Sequence, residues 1–352
     1  MTATLTLAID GIGGDKAPGI VLKGSDIARK RYPDVRFLLF GDERRIGPIL
    51  KRFPKLKDRC EIRHTEESVA AEDKPSQVLR RGRNTSMWKA IESVKSGETA
   101  GIVSAGNTGA LMVIAKFVLR TVSGIDRPAI AGYFPTRRGE CVMLDLGANI
   151  ECDANHLVQF GVMGSAFARI VLGIERPSVG LLNVGTEELK GHDSLKEAAQ
   201  ILRDTKSQAF DFAGFVEGSD IGTGKVDVYV TDGFSGNLVL KTIEGTARFY
   251  TDNLKAAFKR SLMSRVGYLF AGPSLNKMRK RLDPRSYNGA MLVGLNGVVV
   301  KSHGGTDAIG YANAIGVAAD MAAGQFNAHI IRDLQTFMDV STPAPVTEAA
   351  AS

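Results

Sequence analysis

Short apolar runs alternate with amphipathic stretches along almost the whole chain. Short apolar runs between turn residues predict strands, and apolar positions that recur every three or four residues predict helices. Strands are predicted at 4–10, 35–40, 99–104, 128–134, 140–146, 178–183, 212–216, 226–231 and 290–300. Helices are predicted at 17–31, 76–95, 107–120, 153–173, 193–204, 236–268, 306–323 and 325–338. This alternation indicates an α/β fold, with a mostly parallel sheet covered by helices on both faces.

The chain shows no proline- or serine-rich linker and no change of composition that would divide it. We therefore expect a single α/β domain over residues 1–340, with a basic amphipathic helical insertion at about 245–285. The tail STPAPVTEAAAS, 341–352, is small and polar, and is predicted to be disordered. At 352 residues the chain can bury a large core.

Composition favours a reduced, cytoplasmic protein. The first residues lack the pattern of a signal peptide, and no apolar run approaches the roughly 20 residues needed to cross a bilayer. The three cysteines, Cys60, Cys141 and Cys152, have neither zinc-site nor CxxC spacing. We expect them to be buried apolar side chains rather than catalytic thiols.

The net charge of +7 comes from one segment. Between Lys255 and Arg285 there are nine basic residues and one acid, so the rest of the chain sums to −1. A local anionic partner is therefore expected. Nucleic acid is disfavoured because the segment lacks interleaved aromatic platforms.

Six turns that follow predicted strands are rich in Gly, Asn, Ser and Thr. They read IDGIGGDKAP, SAGNTGALM, LDLGANIECD, NVGTEELKGHD, TDGFSGNLVLK and VKSHGGTDAIG. In open α/β sheets ligands bind beyond the carboxyl ends of strands, where glycines admit close approach and free amides face an anion. We predict that the six turns share one anion site, for phosphate. The alternative is ordinary turn and helix-cap chemistry.

Standard nucleotide and catalytic motifs are missing. In the first turn the third position of GxGxxG is Lys16, and GxxxxGK[ST] also fails. GxSxG, HExxH and the kinase motifs do not occur, and the five histidines have no metal-ligand spacing.

The six turns, in this order and over nearly the whole chain, resemble the phosphate acyltransferase family of bacterial phospholipid synthesis. The family's first motif usually reads AMGGD, where this chain has GIGGD at 11–15. The resemblance implies a three-layer α/β/α fold with a mostly parallel (mixed) sheet, like that of isocitrate and isopropylmalate dehydrogenases, with two intertwined subdomains. It also implies a homodimer that transfers the acyl group of acyl-[acyl-carrier-protein] to inorganic phosphate.

This reaction needs no cofactor, because a thioester is already activated and phosphate is a competent nucleophile. Given the resemblance, Lys190 is expected to neutralise phosphate or the oxyanion, Asn237 to donate to the oxyanion, and His303 to donate to phosphate or protonate the thiolate. The alternatives are an exposed lysine, a helix cap and a histidine bonded to local backbone. The other expected phosphate- or substrate-binding residues are Gly13, Gly14, Asp15, Lys16, Ser104, Gly106, Asn107, Thr108, Asn149, Thr186, Ser235, Gly236 and Gly304.

Two carboxylates, Asp10 and Asp145, are expected to fix neighbouring turns, because a carboxylate aimed at phosphate would repel it. Asp15 is expected to hold Lys16 or to cap the next helix.

The basic segment is amphipathic. Apolar residues recur at helical spacing from Leu254 with cations between them, and the apolar stretch VGYLFAG follows. This pattern predicts docking on an anionic membrane, where a membrane glycerol-3-phosphate acyltransferase would use the acyl phosphate. The competing uses are docking of the acidic carrier protein and, for 238–254, packing in a dimer. The predicted membrane or carrier contacts are Lys259, Arg260, Leu262, Arg265, Val266, Leu269 and Phe270.

Two other functions stay open. One is a phosphotransacetylase or decarboxylating dehydrogenase on the same fold, although the dehydrogenase needs a carboxylate cluster that the sequence does not show. The other is a membrane-associated scaffold that binds the carrier protein without chemistry.

Overall fold

A computed structural model describes residues 5–205, 207–281 and 283–341, so the predicted tail beyond Ser341 lies outside the described residues. Within them, eleven strands form one sheet. The strands are β1 Thr6–Asp10, β2 Arg36–Gly41, β3 Cys60–His64, β4 Gly101–Ser104, β5 Ala129–Thr136, β6 Gly139–Leu144, β7 Ser178–Leu182, β8 Asp211–Val216, β9 Val228–Val230, β10 Ala290–Val293 and β11 Val298–Lys301.

The sheet reverses direction near its middle. Its strand order is β3-β2-β1-β4-β11-β10-β5-β6-β9-β7-β8. The pairs β11–β10, β10–β5 and β5–β6 are antiparallel, and every other neighbouring pair is parallel. Strands β1 to β5 and β11 therefore point one way, and β6 to β10 point the other. The sheet is mostly parallel and mixed, as expected.

Helices cover both faces of the sheet. They are α1 Gly19–Arg31, α2 Glu43–Leu50, α3 Pro54–Lys57, α4 Pro75–Arg81, α5 Ser86–Lys95, α6 Thr108–Leu119, α7 Ala154–Leu172, α8 Asp193–Thr205, α9 Gly218–Ile221, α10 Gly233–Lys259, α11 Leu262–Arg281, α12 Ala308–Ala323 and α13 Phe326–Ser341. Alternate side chains along the strands pack into two hydrophobic cores, one on each face of the sheet. One core lies under α1, α7 and α12, and the other lies under α5 and α6. The three-layer α/β/α architecture is thereby confirmed.

Some predicted boundaries are wrong for physical reasons. The run 290–300 is two antiparallel strands rather than one, because Gly294 adopts φ +86° and reverses the chain. The predicted helix 76–95 is split into α4 and α5 by a short 3-10 helix, Gly82–Asn84. Edge strand β3 and the short helices α2 and α3 were not predicted, since their charged, half-exposed residues show weak periodicity.

The long helix predicted at 236–268 is two helices. It begins earlier, at Gly233, because Asp232 caps it by accepting from the Ser235 amide at 2.8 Å. It ends at Lys259, and a second helix begins after Ser261, whose hydroxyl accepts from the Ser264 amide at 3.0 Å. The apolar stretch VGYLFAG therefore lies within α11 rather than at the turn between the helices.

Candidate active site

Three turns meet around the carbonyl oxygen of Ala105, beyond the carboxyl ends of the adjacent parallel strands β1, β4 and β11. We define the three-turn site by residues 11–17, 105–107 and 302–306. The Asp15 amide donates to the Gly304 carbonyl at 3.3 Å, which joins the first turn to the third. An ideal Cβ at Gly14 would lie 3.3 Å from the Ala105 oxygen, and one at Gly304 would lie 3.5 Å away. Both turns therefore contact the second.

A buried carboxylate fixes the first two turns to each other. Asp10 accepts hydrogen bonds from the hydroxyl groups of Ser86 at 2.6 Å and Ser104 at 2.7 Å. Ser104 Oγ in turn accepts from the Gly106 amide at 3.0 Å. Burial raises the pKa of Asp10, and the hydroxyl donors and Lys301 oppose that rise. The Ser104 hydroxyl, predicted to bind substrate, is directed at Asp10 instead.

Two glycines of the first turn are required by contact with the second turn. A side chain at Gly13 would overlap the Asp10 carboxylate and would lie 3.1 Å from the Gly106 amide nitrogen. Gly14 has φ +101°, and its Cβ would lie 2.9 Å from that of Ala105. The backbone of this turn can therefore lie against the second turn only because both residues lack side chains.

Several backbone amides in the three-turn site or directly next to it lack an acceptor among the described residues. They are those of Gly14, Lys16, Asn107, Thr108 and Gly304. Thr108 begins α6, where the first amides have no helical acceptor. Free amides at turns and helix starts are suited to an anion.

His303 shows the local contacts that the sequence analysis gave as the alternative to a catalytic role, and that role stays a prediction. Its Nδ1 accepts from the Gly305 amide at 3.1 Å, and its own amide donates to Asn288 Oδ1 at 2.9 Å. The histidine is thus bonded to local backbone. Because Nδ1 accepts, the proton of the neutral ring is on Nε2, which remains a donor on an exposed side chain.

The side chain of Asn107 is used structurally. Its Oδ1 accepts from the Ala110 amide at 3.0 Å and caps α6, while Nδ2 donates to the carbonyls of Ala71 at 2.8 Å and Asp73 at 3.1 Å. Asn107 thereby secures the loop at 70–73. Its side chain is engaged in these bonds, so the group of Asn107 that is available to an anion is its main-chain amide.

Neither structural use expected of Asp15 is found. Among the described residues Asp15 makes no ion pair with Lys16, and α1 begins after Pro18 without a side-chain cap. Asp15 is exposed and lies beside Gly304, with a carboxylate oxygen 3.5 Å from the ideal Cβ position. Lys16 is exposed and lines a narrow pocket together with Gly13, Gly14 and Thr306.

The sequence analysis missed Lys301, the last residue of β11. Its Nζ donates to the Ala105 carbonyl at 3.4 Å and also to the Ser302 carbonyl. Burial lowers the pKa of Lys301 to about 8, although the charges of Asp10 and Asp15 oppose that decrease. The available signal was a lysine at the end of an apolar strand, directly before SHGG.

A second group of predicted residues lies beyond β6 and β9. Asp145 is buried and accepts from the amides of Ile130 at 2.9 Å, Ala148 at 3.0 Å and Asn149 at 2.6 Å. The Asn149 side chain donates to the Pro128 carbonyl at 2.8 Å and to Asp145 at 2.9 Å, so it secures the turn. The structural role expected of Asp145 is the one observed.

The start of α10 packs on this turn. A side chain at Gly236 would overlap the Asp145 carbonyl, and Ser235 Oγ donates to Asp232 at 2.9 Å. Asn237 lies one turn into the helix, exposed, with its Cβ 3.5 Å from the ideal Cβ of Gly147. Asn237 is therefore not the helix cap, and among the described residues its side-chain amide has no hydrogen-bond partner.

Lys190 lies in the turn after β7, which is not helical. Its side chain is 51% exposed, and Nζ is 2.7 Å from a carboxylate oxygen of Glu187, which raises the pKa of the lysine. The Lys190 carbonyl accepts from Asn183 Nδ2 at 3.0 Å. Thr186 is exposed in the same turn.

The six turns that were predicted to share one anion site follow strands of two opposite directions, so they lie in two groups. The turns after β1, β4 and β11 form the three-turn site, whereas those after β6, β7 and β9 follow strands that point the other way. Strand β9 lies four positions from β11, or roughly 19 Å at about 4.8 Å per strand. Among the described residues, no hydrogen bond or ion pair joins the two groups.

Helices α10 and α11 contact each other through the edge-to-face rings of Phe258 and Tyr268, whose centroids are 5.2 Å apart. Apolar side chains of α11 are strongly exposed, including Leu269 at 75% and Phe270 at 84%. Of the basic residues in the segment, Arg281 donates to the Thr136 carbonyl at 2.6 Å. Within the described part of the chain, Lys259, Arg260 and Arg265 have no acidic partner.

Other candidate chemistry receives little support. Burial raises the pKa of each cysteine thiol to about 12, as expected of unreactive side chains. Within the described ranges, no three His, Cys, Asp or Glu side chains are grouped as metal ligands are. None of the described helices is sufficiently long and apolar to cross a membrane.

Comparison with known proteins identifies close relatives. A family model described as "Fatty acid synthesis protein" matches residues 5–329. A phosphate acyltransferase of Paramagnetospirillum magneticum is 58% identical over 333 residues, covering 95% of each chain. A phosphate acyltransferase of Rhodospirillum centenum is 57% identical over 355 residues, covering 100% of each.

Solved structures share the fold. A phosphotransacetylase of Streptococcus pyogenes aligns with a TM-score of 0.61 at 18% identity, covering 92% of this chain and 95% of that one. The EutD phosphotransacetylase of Staphylococcus aureus aligns with a TM-score of 0.57 at 17% identity, covering 91% and 94%. At these identities the likeness concerns the fold alone.

Proposed function

The chain belongs to the phosphate acyltransferase family, and from this premise we propose that it transfers a fatty acyl group from acyl-[acyl-carrier-protein] to inorganic phosphate. The product is an acyl phosphate for glycerophospholipid synthesis. Relatives that match the chain over nearly its whole length and carry the phosphate acyltransferase name support the reaction class. The carrier protein as acyl donor is part of the proposal.

One observation favours phosphate at the three-turn site: three turns that carry unpaired amides come together at the Ala105 carbonyl oxygen. In this proposal a bound anion receives N–H donors from Gly14, Thr108 and Gly304. These donors carry no titratable proton, so their capacity to donate to an anion does not change with pH while the fold persists.

The reaction proceeds by direct attack. A phosphate oxygen adds to the thioester carbonyl carbon, and the tetrahedral oxyanion then collapses with cleavage of the carbon–sulfur bond. The acyl group leaves on phosphate and the carrier thiolate takes up a proton. His303 Nε2, an exposed donor beside the site, is suited to give that proton or to bind phosphate.

Lys190 and Asn237 stay in the proposal as donors to the carbonyl oxygen as it becomes negative. What supports them is their chemistry: an exposed ammonium and an unpartnered side-chain amide. Both residues lie beyond strands that point away from the three-turn site. The proposal therefore also requires that an acyl group held at the three-turn site extends to these two side chains.

The test follows free thiol when the purified protein is mixed with palmitoyl-carrier protein. We expect thiol release only with phosphate present, and a loss of at least about a hundredfold in rate for Lys190→Ala. Thiol release that does not depend on phosphate would contradict acyl transfer to phosphate. Absence of any release, with carrier binding retained, would favour the scaffold function instead.

Membrane and carrier contacts are proposed for the helix pair α10–α11. The exposed apolar residues Leu262, Val266, Leu269 and Phe270, flanked by unpaired cations, support peripheral binding to an anionic bilayer. Lys259, Arg260 and Arg265 could equally attract the acidic carrier protein. Release of an amphipathic acyl phosphate at the bilayer would deliver it to a membrane glycerol-3-phosphate acyltransferase.

A homodimer is proposed from the upstream part of α10. In this helix only Gly233 and Gly236 are buried, while Phe249 and Tyr250 are 65% and 69% exposed. Apolar side chains on a long helix of this kind are suited to pack against a second copy of the chain.

A further inference from the structure

We propose that Lys301 is the cation that binds the phosphate in the three-turn site, an inference that rests on the proposed function. The lysine ends β11 and therefore enters the site from the same edge of the sheet as Asp10 and Ser104, which end β1 and β4. No motif of the chain assigns it a role.

The first step of the argument is position. Lys301 Nζ lies 3.4 Å from the Ala105 carbonyl oxygen, the same atom that Gly14 and Gly304 approach. The ammonium thus lies where the three turns meet, and those turns carry the amides that have no acceptor. The proposal places the phosphate between these amides and the Lys301 ammonium.

The second step is charge. The side chain of Lys301 is mostly buried, yet among the described residues no carboxylate lies within ion-pair distance of it. The nearest acids are Asp10, which two hydroxyl groups already engage, and the exposed Asp15. Its present acceptors are the neutral carbonyls of Ala105 and Ser302, so among the described residues this largely buried charge has no counterion in contact, although Asp10 and Asp15 attract it from farther away.

The third step is the consequence for a ligand. Burial lowers the pKa of Lys301 to about 8, so the protonated form predominates at neutral pH but is poorly compensated. A phosphate dianion at the amides supplies the missing counterion and stabilises that form. Asp10 attracts the Lys301 ammonium without contacting it, and its two oxygens accept from the hydroxyl groups of Ser86 and Ser104.

The test compares three variants of the full chain. Lys301→Met removes the charge and keeps the length of the side chain, and Lys301→Arg keeps the charge. Lys116→Met removes an exposed lysine on α6, away from the three turns, as a matched control. Each variant is assayed for KM of phosphate and kcat in the thiol assay, and for the rise in Tm that phosphate gives over chloride at equal ionic strength.

We expect Lys301→Met to raise KM for phosphate at least about tenfold and to abolish the phosphate-dependent rise in Tm. Lys301→Arg should restore part of the apparent affinity for phosphate and part of the phosphate-dependent rise in Tm. Lys116→Met should match the wild type in both measurements. A Lys301→Met protein that is less stable but keeps the wild-type KM and Tm response would show that Lys301 only ties turns together, and would overturn the inference.

A measurement on the wild type does not depend on whether a variant folds. Lysine side chains are acetylated with a limiting amount of reagent, with and without inorganic phosphate. The extent of acetylation of each lysine is then measured by mass spectrometry. Phosphate should slow acetylation of Lys301 several-fold and leave Lys116 unchanged; equal rates at Lys301 would overturn the inference. Phosphate protection without phosphate-dependent thiol release would leave Lys301 as an anion ligand and contradict the proposed function alone.

Discussion

Buried carboxylates organise this protein at the scale of single residues. Asp10 ends β1 and accepts from the hydroxyl groups of Ser86 and Ser104, whereas Asp145 follows β6 and accepts from the amides of Ile130 and Asn149. Because burial raises the pKa of both, their ionised forms depend on these hydrogen bonds. Each carboxylate thereby joins separate segments of the chain, Asp10 at the three-turn site and Asp145 at the turn after β6.

Replacing Asp145 by Asn tests this role. One of the two oxygens becomes an NH₂ group that faces amide donors, so buried donors lose their acceptor. We expect the free energy of unfolding, measured in urea, to fall by about 2–4 kcal/mol. The exposed Asp211→Asn should change it by less than about 0.5 kcal/mol. A similar small change at Asp145 would contradict the role.

The sequence predicted which turns carry candidate ligands better than it predicted which atoms they offer. The side chains of Ser104, Asn107 and Asn149 can donate to phosphate, but in the structure they hydrogen-bond to other parts of the protein. Lys301 was missed because its neighbours, Asp10 and Ala105, come from strands distant in sequence. Burial and unpaired charge arise only from that packing.

At the scale of elements, the helix pair α10–α11 stands apart from the rest. It contributes little to either core, and its exposed apolar residues lie beside cations that have no acidic partner among the described residues. Its function can therefore be changed without disturbing the three-turn site.

The double variant Leu269→Glu, Phe270→Glu tests membrane docking. It removes exposed apolar area and adds negative charge, so binding to vesicles with anionic lipid should fall at least about tenfold in a sedimentation assay. Thiol release in solution should stay near the wild-type rate, and Ile331→Glu on α13 serves as an exposed control. Unchanged vesicle binding by the double variant would exclude these residues as the docking surface.

Element types were largely predictable, and their ends were not. The alternation of apolar runs and amphipathic stretches predicted the sheet and the helix layers, because this pattern reflects which side chains are buried on each face of the sheet. The break at Ser261 and the reversal at Gly294 depend on one cap and one positive φ, which a continuous apolar pattern conceals. The edge strand β3 has too little buried surface to show its period.

At the scale of the whole molecule, the reversal of strand direction decides which candidates can meet. The similar composition of the six turns predicted that they share one anion site. Three antiparallel strand pairings instead divide the turns into two groups. Pairing direction depends on contacts between β5, β6 and β10, which are far apart in sequence, and local periodicity carries no information about it.

Self-association is the prediction that belongs to this scale. Phe249 and Tyr250 are exposed on α10, so we expect the wild type to sediment at twice the mass of one chain. Phe249→Asp with Tyr250→Asp should shift it toward the monomer at micromolar concentration. A wild type that sediments as a monomer would contradict the dimer, and Phe117→Asp on α6 controls for added surface charge.

The place of β11 between β4 and β10 has a consequence for biosynthesis. The first two turns of the anion site leave the ribosome early, but the strand that completes their neighbourhood is translated near the end of the message. Until then the nascent polypeptide exposes β4 as an open edge. A premature stop codon before residue 298 would leave the first two turns translated and remove the strand and the turn that complete the pocket.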